Sequence, residues 1–312
     1  VVFGSLENPL GFDPPTPVTL DSPPAAMLVQ DLDGDGADEL IIAIPGDPDG
    51  TVLIYPNEAG EFADEPISLN VGPGPAALVA GDFTGDGEIE IACANTGNNS
   101  ITIIQYPMDS SMEIATLLTD GGVPVGLAAG NFLDDAASDE LAVACAGTDT
   151  IEFWQHGAGL RILDFSRSVV VDLDDTPGGI DPGQVNEDKD AFVPLAITLP
   201  GEGGIVVLDN DGNGGFSMGE TYPAGENPLQ VRMASLDGLA TTPNDLVVLN
   251  RDDGTISILL DLGNAQYLPA ANLSVGQNPD SIDLADLDAD GDQDIVLVAI
   301  NSVTGQSTVL LL

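Results

Sequence analysis

Short apolar runs broken by turns set the character of this chain. Stretches such as Leu40-Ile41-Ile42, Thr51-Val52-Leu53-Ile54-Tyr55 and Ile295-Val296-Leu297-Val298 are separated by Gly, Asn, Asp and Pro. Strands of four to six residues with turn signals every eight to twelve argue for an all-β fold, and no useful helical period is present. The runs group in fours. Strand A leads from a Pro, as in Pro75 to Gly81, and strand B follows an acidic loop, as in Ile91 to Ala94. Strand C begins at Thr51, Ser100, Thr150, Gly204, Thr255 and Thr308. Strand D is expected to open at an aromatic, at Phe62, Phe216, Tyr267 and, near the start of the chain, Phe12.

The acidic loop between strands A and B supplies the period. Asp286-Leu287-Asp288-Ala289-Asp290-Gly291-Asp292-Gln293-Asp294 has counterparts at Asp31 to Glu39 and Asp82 to Glu90, and worn copies begin at Asn131, Gln184 and Ser235. The first positions are spaced 51, 49, 53, 51 and 51 residues apart. A Pro lies seven residues ahead of each, at Pro24, Pro75, Pro124, Pro177, Pro228 and Pro279. A period near fifty means a repeat architecture. Four-stranded units repeated six times describe a six-bladed β-propeller, which closes its sheet edges into a ring. Residues 1–312 then form one domain. The last blade lacks a strand D of its own, so the segment Phe12 to Leu20 is expected to complete it; a seventh blade would need about fifty further residues.

Oxygens at the first, third, fifth and ninth positions of such a loop converge on one hard cation. A glycine permits the tight turn, and the carbonyl of the seventh residue can complete the shell. Calcium takes six to eight oxygens at about 2.3–2.6 Å, which suits this set. An EF-hand is excluded, because position twelve of the last copy is Leu297 and a β run follows the loop. Asp-x-Asp-x-Asp-Gly-x-x-Asp loops on a blade-length repeat are similar to the FG-GAP/VCBS repeats, also found in the propeller of integrin α subunits. The resemblance implies calcium in the A–B loops. By motif position it assigns metal contacts to Asp31, Asp33, Asp35 and Glu39, to Asp82, Thr84, Asp86 and Glu90, and to Asp286, Asp288, Asp290 and Asp294. The seventh-position carbonyls are those of Ala37, Glu88 and Asp292, and a partial fourth set is Asn131, Asp135 and Asp139. The loops at 184 and 235 are expected to hold no metal.

Charge narrows the partners. Asp and Glu number 52 against 5 Lys and Arg, a formal net charge of −47. Nucleic acid and anionic membranes are bound through clustered Lys and Arg, so neither is an expected partner. No apolar run reaches the ~18–20 residues of a membrane span. Loops of modest calcium affinity suit a calcium-rich medium, so an extracellular or cell-surface protein is expected, secreted by a signal outside this sequence. Cys93 and Cys145 lie in equivalent strands of adjacent repeats and read as buried apolar residues or as a bridge between repeats.

Other candidate chemistry is sparse. His156, the one histidine, is expected in a turn just beyond strand C, and Trp154 aligns with strand-packing positions. Three residues before the loops, strand A carries Asp181, Arg232 and Asp283 in consecutive blades, so Arg232 is expected to pair with one or both acids. The loops B–C and D–A form the expected recognition face for a protein or glycan ligand. The function expected is a non-catalytic interaction module. The alternatives are a self-assembling subunit of a surface filament or layer, and a polysaccharide-acting lyase or hydrolase on a propeller scaffold.

Overall fold

The computed structural model describes residues 4–5, 8–12, 18–46, 48–58, 60–106, 113–133, 138–157, 164–183, 193–211, 214–236, 244–263, 266–287, 293–300 and 307–312. Every regular element among them is a strand. Six antiparallel sheets stand around an axis and form a six-bladed β-propeller. The first blade runs outward as Ala26–Gln30, Glu39–Ile44, Gly50–Tyr55 and Ile67–Val71. The second is Pro75–Gly81, Glu90–Asn95, Ser100–Gln105 and Glu113–Leu118; the third is Pro124–Gly130, Glu140–Cys145, Thr150–His156 and Phe165–Asp172. The fourth is Ile180–Pro182, Leu195–Leu199, Gly204–Asn210 and Phe216–Met218, with Tyr222–Pro223 also pairing to its third strand. The fifth is Pro228–Ala234, Asp245–Asn250, Thr255–Leu259 and Ala271–Ser274. The sixth sheet has three strands, Gln277–Ala285, Asp294–Ile300 and Ser307–Leu311.

The core lies in the seams between blades. Strand-B residues are buried on both faces, as in Glu39–Ile44 and Glu140–Cys145, because each sheet is sandwiched between two others. At the first seam Ile41, Val52 and Ile54 meet Ile91, Cys93 and Ile104. The residue four places before each loop reaches back to the preceding blade: Leu78, Leu127, Ile180, Val231 and Ile282 belong to five successive seam clusters. The second residue of the loop also enters a seam, and Leu32, Phe83 and Phe132 are fully covered. Turn chemistry is equally regular. The residue just before strand C is left-handed at Asn99, Asp149, Gly203 and Gly254, types that tolerate positive φ.

Two expectations about strand D need correction. Phe62 pairs within a short hairpin, Asn57–Glu58 with Glu61–Phe62, and the fourth strand starts only at Ile67. Tyr267 makes one isolated bridge to Asp261 and packs edge-on against Tyr222, 5.2 Å between ring centres. These aromatics cap the seam before the strand rather than open it. At the chain start, Asn8–Phe12 pairs with Gly4–Ser5 rather than with the sixth sheet. A local hairpin costs far less loop-closure entropy than a pairing across three hundred residues. Phe12 therefore does not open the closing strand.

Candidate functional site

The loop at Asp31 is organised before any ion enters it. One oxygen of Asp31 accepts the Gly34 amide at 2.7 Å and the other accepts the Gly36 amide at 2.9 Å. Asp33 accepts from the Asp35 amide, and Asp35 from the Ala37 amide. Gly34 and Gly36 have φ of 74° and 89°, a conformation that side chains with a Cβ resist. The Asp82 loop repeats the pattern: Asp82 accepts from Gly85, Asp86 and Gly87, Asp86 accepts from Glu88, and Gly85 and Gly87 share the same φ values within a degree.

The first loop converges acidic oxygen. Ligand atoms of Asp31, Asp33 and Glu39 lie within 4.8 Å of one another. Burial, with Asp33 and Asp31 nearby, raises the Glu39 carboxyl above its ordinary range despite amide hydrogen bonds from Leu32 and Asn57. Glu90 is pushed up to about 7, first by burial and then by Asp86 and Asp82, against a hydrogen bond from Thr84. Crowded carboxylates facing one point are the electrostatic complement of a hard divalent cation, so the set of Asp31, Asp33 and Glu39 fits one, and the Asp82 loop shares its backbone pattern. At the last loop Asp286 and Asp294 are described, whereas Asp288, Asp290 and Asp292 lie outside the described residues.

The acid that ends the loop does something the spacing did not reveal. It lies opposite the last residue of strand A and accepts the amide of the loop's second residue. Glu39 takes Leu32 at 2.8 Å, Glu90 takes Phe83 at 3.0 Å, Asp245 takes Leu236 at 2.8 Å and Asp294 takes Leu287 at 2.9 Å. In the third blade this acid is Glu140, which accepts both the Phe132 amide at 2.7 Å and the Leu133 amide at 2.9 Å. Asp139 was expected as a ligand of that loop. It points instead to the second blade, accepting the Asp82 amide at 3.0 Å while its own amide donates to the Asp82 carbonyl. One extra residue in the third loop hands the strap to Glu140 and turns Asp139 into a tie between blades. Asn131 keeps a buried Oδ1 with no hydrogen-bond partner, and Asp135 lies outside the described residues.

The strap persists where the ligand set is worn, so it serves the fold with or without metal. Glu140→Ala should cost roughly 2–4 kcal/mol of unfolding free energy, because two buried amides lose their acceptor. Urea melts of Glu140→Ala beside Asp139→Ala check this. An equal or larger loss in Asp139→Ala would show that the tie outweighs the strap.

A second constellation lies on the innermost strands of blades four, five and six. Arg232 stands 3.2 Å from Asp283 and 3.6 Å from Asp181, the pairing expected from strand register. Asp181 also accepts the Met233 amide at 2.8 Å, which fixes its carboxylate against the neighbouring blade. Its side chain is 18% exposed and that of Asp283 is 77% exposed, so the cluster opens to solvent on one side. Burial lifts the Asp181 carboxyl to about 6, against the pull of Arg232 and the Met233 hydrogen bond, with Asp283 adding to the rise. A carboxyl that titrates near neutrality beside a guanidinium can move a proton and steady a developing negative charge.

The remaining candidates are structural. Glu152 is buried and holds the Trp154 indole NH at 3.1 Å and Arg167 at 2.7 Å; Arg167 also pairs with Asp120. Trp154 packs in its strand as expected. His156 ends the strand Thr150–His156, opposite Phe165, rather than lying in the turn beyond it, and its ring meets Phe165 edge-on. Cys93 and Cys145 are buried free thiols, each pushed up to about 12 by burial.

Among solved structures the chain is similar to the periplasmic gluconolactonase PpgL of Pseudomonas aeruginosa, with TM-score 0.64, 15% identity, and 96% of this chain and 88% of that one covered. A candidate 6-phosphogluconolactonase of Bacteroides uniformis matches with TM-score 0.63 and 12% identity, over 94% and 85% of the two chains. A Lactobacillus plantarum protein matches with TM-score 0.64 and 17% identity, over 92% and 83%. At these identities the likeness is one of fold. No curated protein matches the sequence. The expectation of a non-catalytic module is nonetheless corrected, because two propellers of this shape are named as lactonases. The inference from repeat to binding module was one of association, and a fold does not choose a function. Residues 31–93 match the FG-GAP-like repeat family, and the chain is a six-bladed β-propeller carrying that repeat.

Proposed function

We propose that this propeller is a hydrolase acting on a sugar-derived lactone, with its loops stabilised by calcium. The observation that carries the reading is Asp181, a largely buried carboxyl near pH 6 fixed beside Arg232. In the proposed reaction a water adds to the lactone carbonyl carbon while the Asp181 carboxylate takes its proton. Arg232 faces the oxyanion that forms. The ring carbon–oxygen bond then breaks, Asp181 returns the proton to the departing ring oxygen, and lactone plus water becomes a hydroxy acid. A base with its pKa near the working pH and a preorganised cation are the two aids this step needs.

The net charge of −47 limits the substrate. A phosphorylated or polyuronate substrate would be repelled over the whole surface, whereas a neutral aldonolactone would not. The lactonase names of two similar propellers support a lactone substrate, and that of PpgL names one without phosphate. Calcium would sit in the loops at Asp31 and Asp82, away from Asp181, and stabilise rather than react. Such loops favour a calcium-rich medium, which supports an extracellular or periplasm-like location. The test is hydrolysis of glucono-1,5-lactone followed by pH-stat with calcium present. Release of acid faster than the spontaneous rate is expected; no acceleration by folded protein overturns the reading.

A further inference from the structure

Arg232 has hydrogens to spare. Its Nε donates to Asp283 Oδ1 at 3.2 Å and its Nη1 to the Val231 carbonyl at 3.0 Å. Asp181 Oδ1 stands 3.6 Å from Nη1, too far for a hydrogen bond. Among the described residues nothing accepts from Nη2, although a guanidinium offers all its N–H groups in one plane. Asp181 is half-committed in the same way. Its Oδ2 accepts the Met233 amide, so a proton taken up by this carboxyl belongs on Oδ1, on the side of the guanidinium. One unused donor and one protonatable oxygen therefore stand side by side where the cluster opens to solvent.

The innermost strands isolate this pair. At the register position of Asp181 and Arg232, the first three blades carry Leu28, Val79 and Ala128. The strands packed against Ile180–Pro182 are Pro124–Gly130, Leu195–Leu199 and Pro228–Ala234, and their only ionisable side chain is Arg232. Asp283 is the other charge that acts on Asp181. An anion there meets one cation in surroundings of low polarity, where the attraction is stronger than in water. Gln230 lies two residues before Arg232, on the same side of the strand. Its Oε1 accepts the Ile282 amide at 3.0 Å, and its NH2 has no acceptor among the described residues.

We propose that this cluster is a seat for a small hydroxy acid carrying one carboxylate. Arg232 Nη2 donates to one carboxylate oxygen, protonated Asp181 donates from Oδ1 to the other, and Gln230 donates to a hydroxyl. Where Asp181 is ionised, each ligand bound takes one proton from solvent, so the acid is held at low pH and released above neutrality. The choice of ligand, the product of lactone opening, rests on the proposed hydrolysis; the seat rests on the three side chains. A net charge of −47 repels anions in general, which favours a ligand with a single charge.

Isothermal titration of sodium gluconate into the calcium-loaded protein tests this, with calcium matched in both solutions. Binding is expected at pH 5, and the affinity should fall about tenfold for each pH unit above about 6, as Asp181 ionises. Near pH 7 the heat should vary with the ionisation enthalpy of the buffer and report uptake of about one proton. Asp181→Asn keeps an acceptor for Met233 and gains a donor that never ionises. It should bind gluconate at pH 8 about as tightly as the parent does at pH 5. Arg232→Met should bind at neither pH, and sorbitol, which lacks the carboxylate, should not bind the parent. Affinity that ignores pH, binding that survives in Arg232→Met, or no binding at pH 5 by protein that melts normally overturns the proposal. Lactone hydrolysis without gluconate binding removes the seat alone, whereas gluconate binding without hydrolysis removes the lactonase reading alone.

Discussion

Asp181→Asn abolishes the lactone hydrolysis expected of the parent and leaves the propeller folded. Loss of a positioned general base costs roughly 100- to 10,000-fold in rate. Asn preserves the acceptor for the Met233 amide, and Arg232 keeps Asp283 at 3.2 Å. Stability should not suffer, and the sign can be worked out. The Asp181 carboxyl is raised to about 6 from an ordinary 3.8, so the folded state penalises the ionised form. That penalty is absent below the ordinary value, grows as pH rises between the two, and is complete above about 6. At pH 8 the variant escapes it and should melt no lower than the parent. In the parent, kcat/KM should fall as pH drops below about 6, because the base becomes protonated. Arg232→Met should lose roughly 100-fold or more in kcat through the oxyanion, with a smaller change in KM. Activity in Asp181→Asn that keeps the parent's rate and pH profile would remove Asp181 from the reaction.

The blade count and loop phase were legible because they repeat, and each copy checked the others. The Pro seven residues ahead of each loop and the apolar strand B after it fixed the register well enough to pair Arg232 with its two acids. What failed was whatever a single copy decides. Asp139 and Glu140 are adjacent acids, and only the ladder, which sets Glu140 opposite Gly130, shows which one turns inward. Phe62 and Tyr267 have the composition of strand openers, yet each pairs locally, Phe62 with Asn57 and Tyr267 with Asp261, ahead of the fourth strand. The acid strap was hidden for a different reason: in the intact loops one carboxylate can serve both metal and backbone. The worn fifth loop separates the two roles, since Asp245 still holds Leu236 after most of the ligands have gone. The same signal was present in the sequence as an acid that outlasts its motif. The function was least legible, since a carboxyl's environment, not its presence, separates Asp181 from fifty-one other acids.

Removing calcium should lower the melting midpoint by a margin no single substitution matches. Metal bound only to the folded loop adds roughly 2.7 kcal/mol per site at a hundredfold excess over Kd. Two loaded loops give roughly 5 kcal/mol, and at roughly 2 °C per kcal/mol for a chain of this length the midpoint moves by about 10 °C. The loss is compounded in the metal-free state, where Asp82, Asp86 and Glu90 repel one another around a buried carboxyl raised to about 7. In a repeat structure the effect passes to neighbours. The Asp82 loop is tied through its backbone to Asp139, so emptying it also loosens the third blade. Asp31→Ala should remove one site's share and blunt the response to chelator, since Asp31 both orders the loop through Gly34 and Gly36 and donates to the ion. Asp139→Ala should leave the calcium stoichiometry unchanged while lowering stability in both metal states. Differential scanning calorimetry with calcium and with chelator, beside isothermal titration to count sites, checks each part. A melt indifferent to chelator would leave these loops as hydrogen-bonded turns and nothing more.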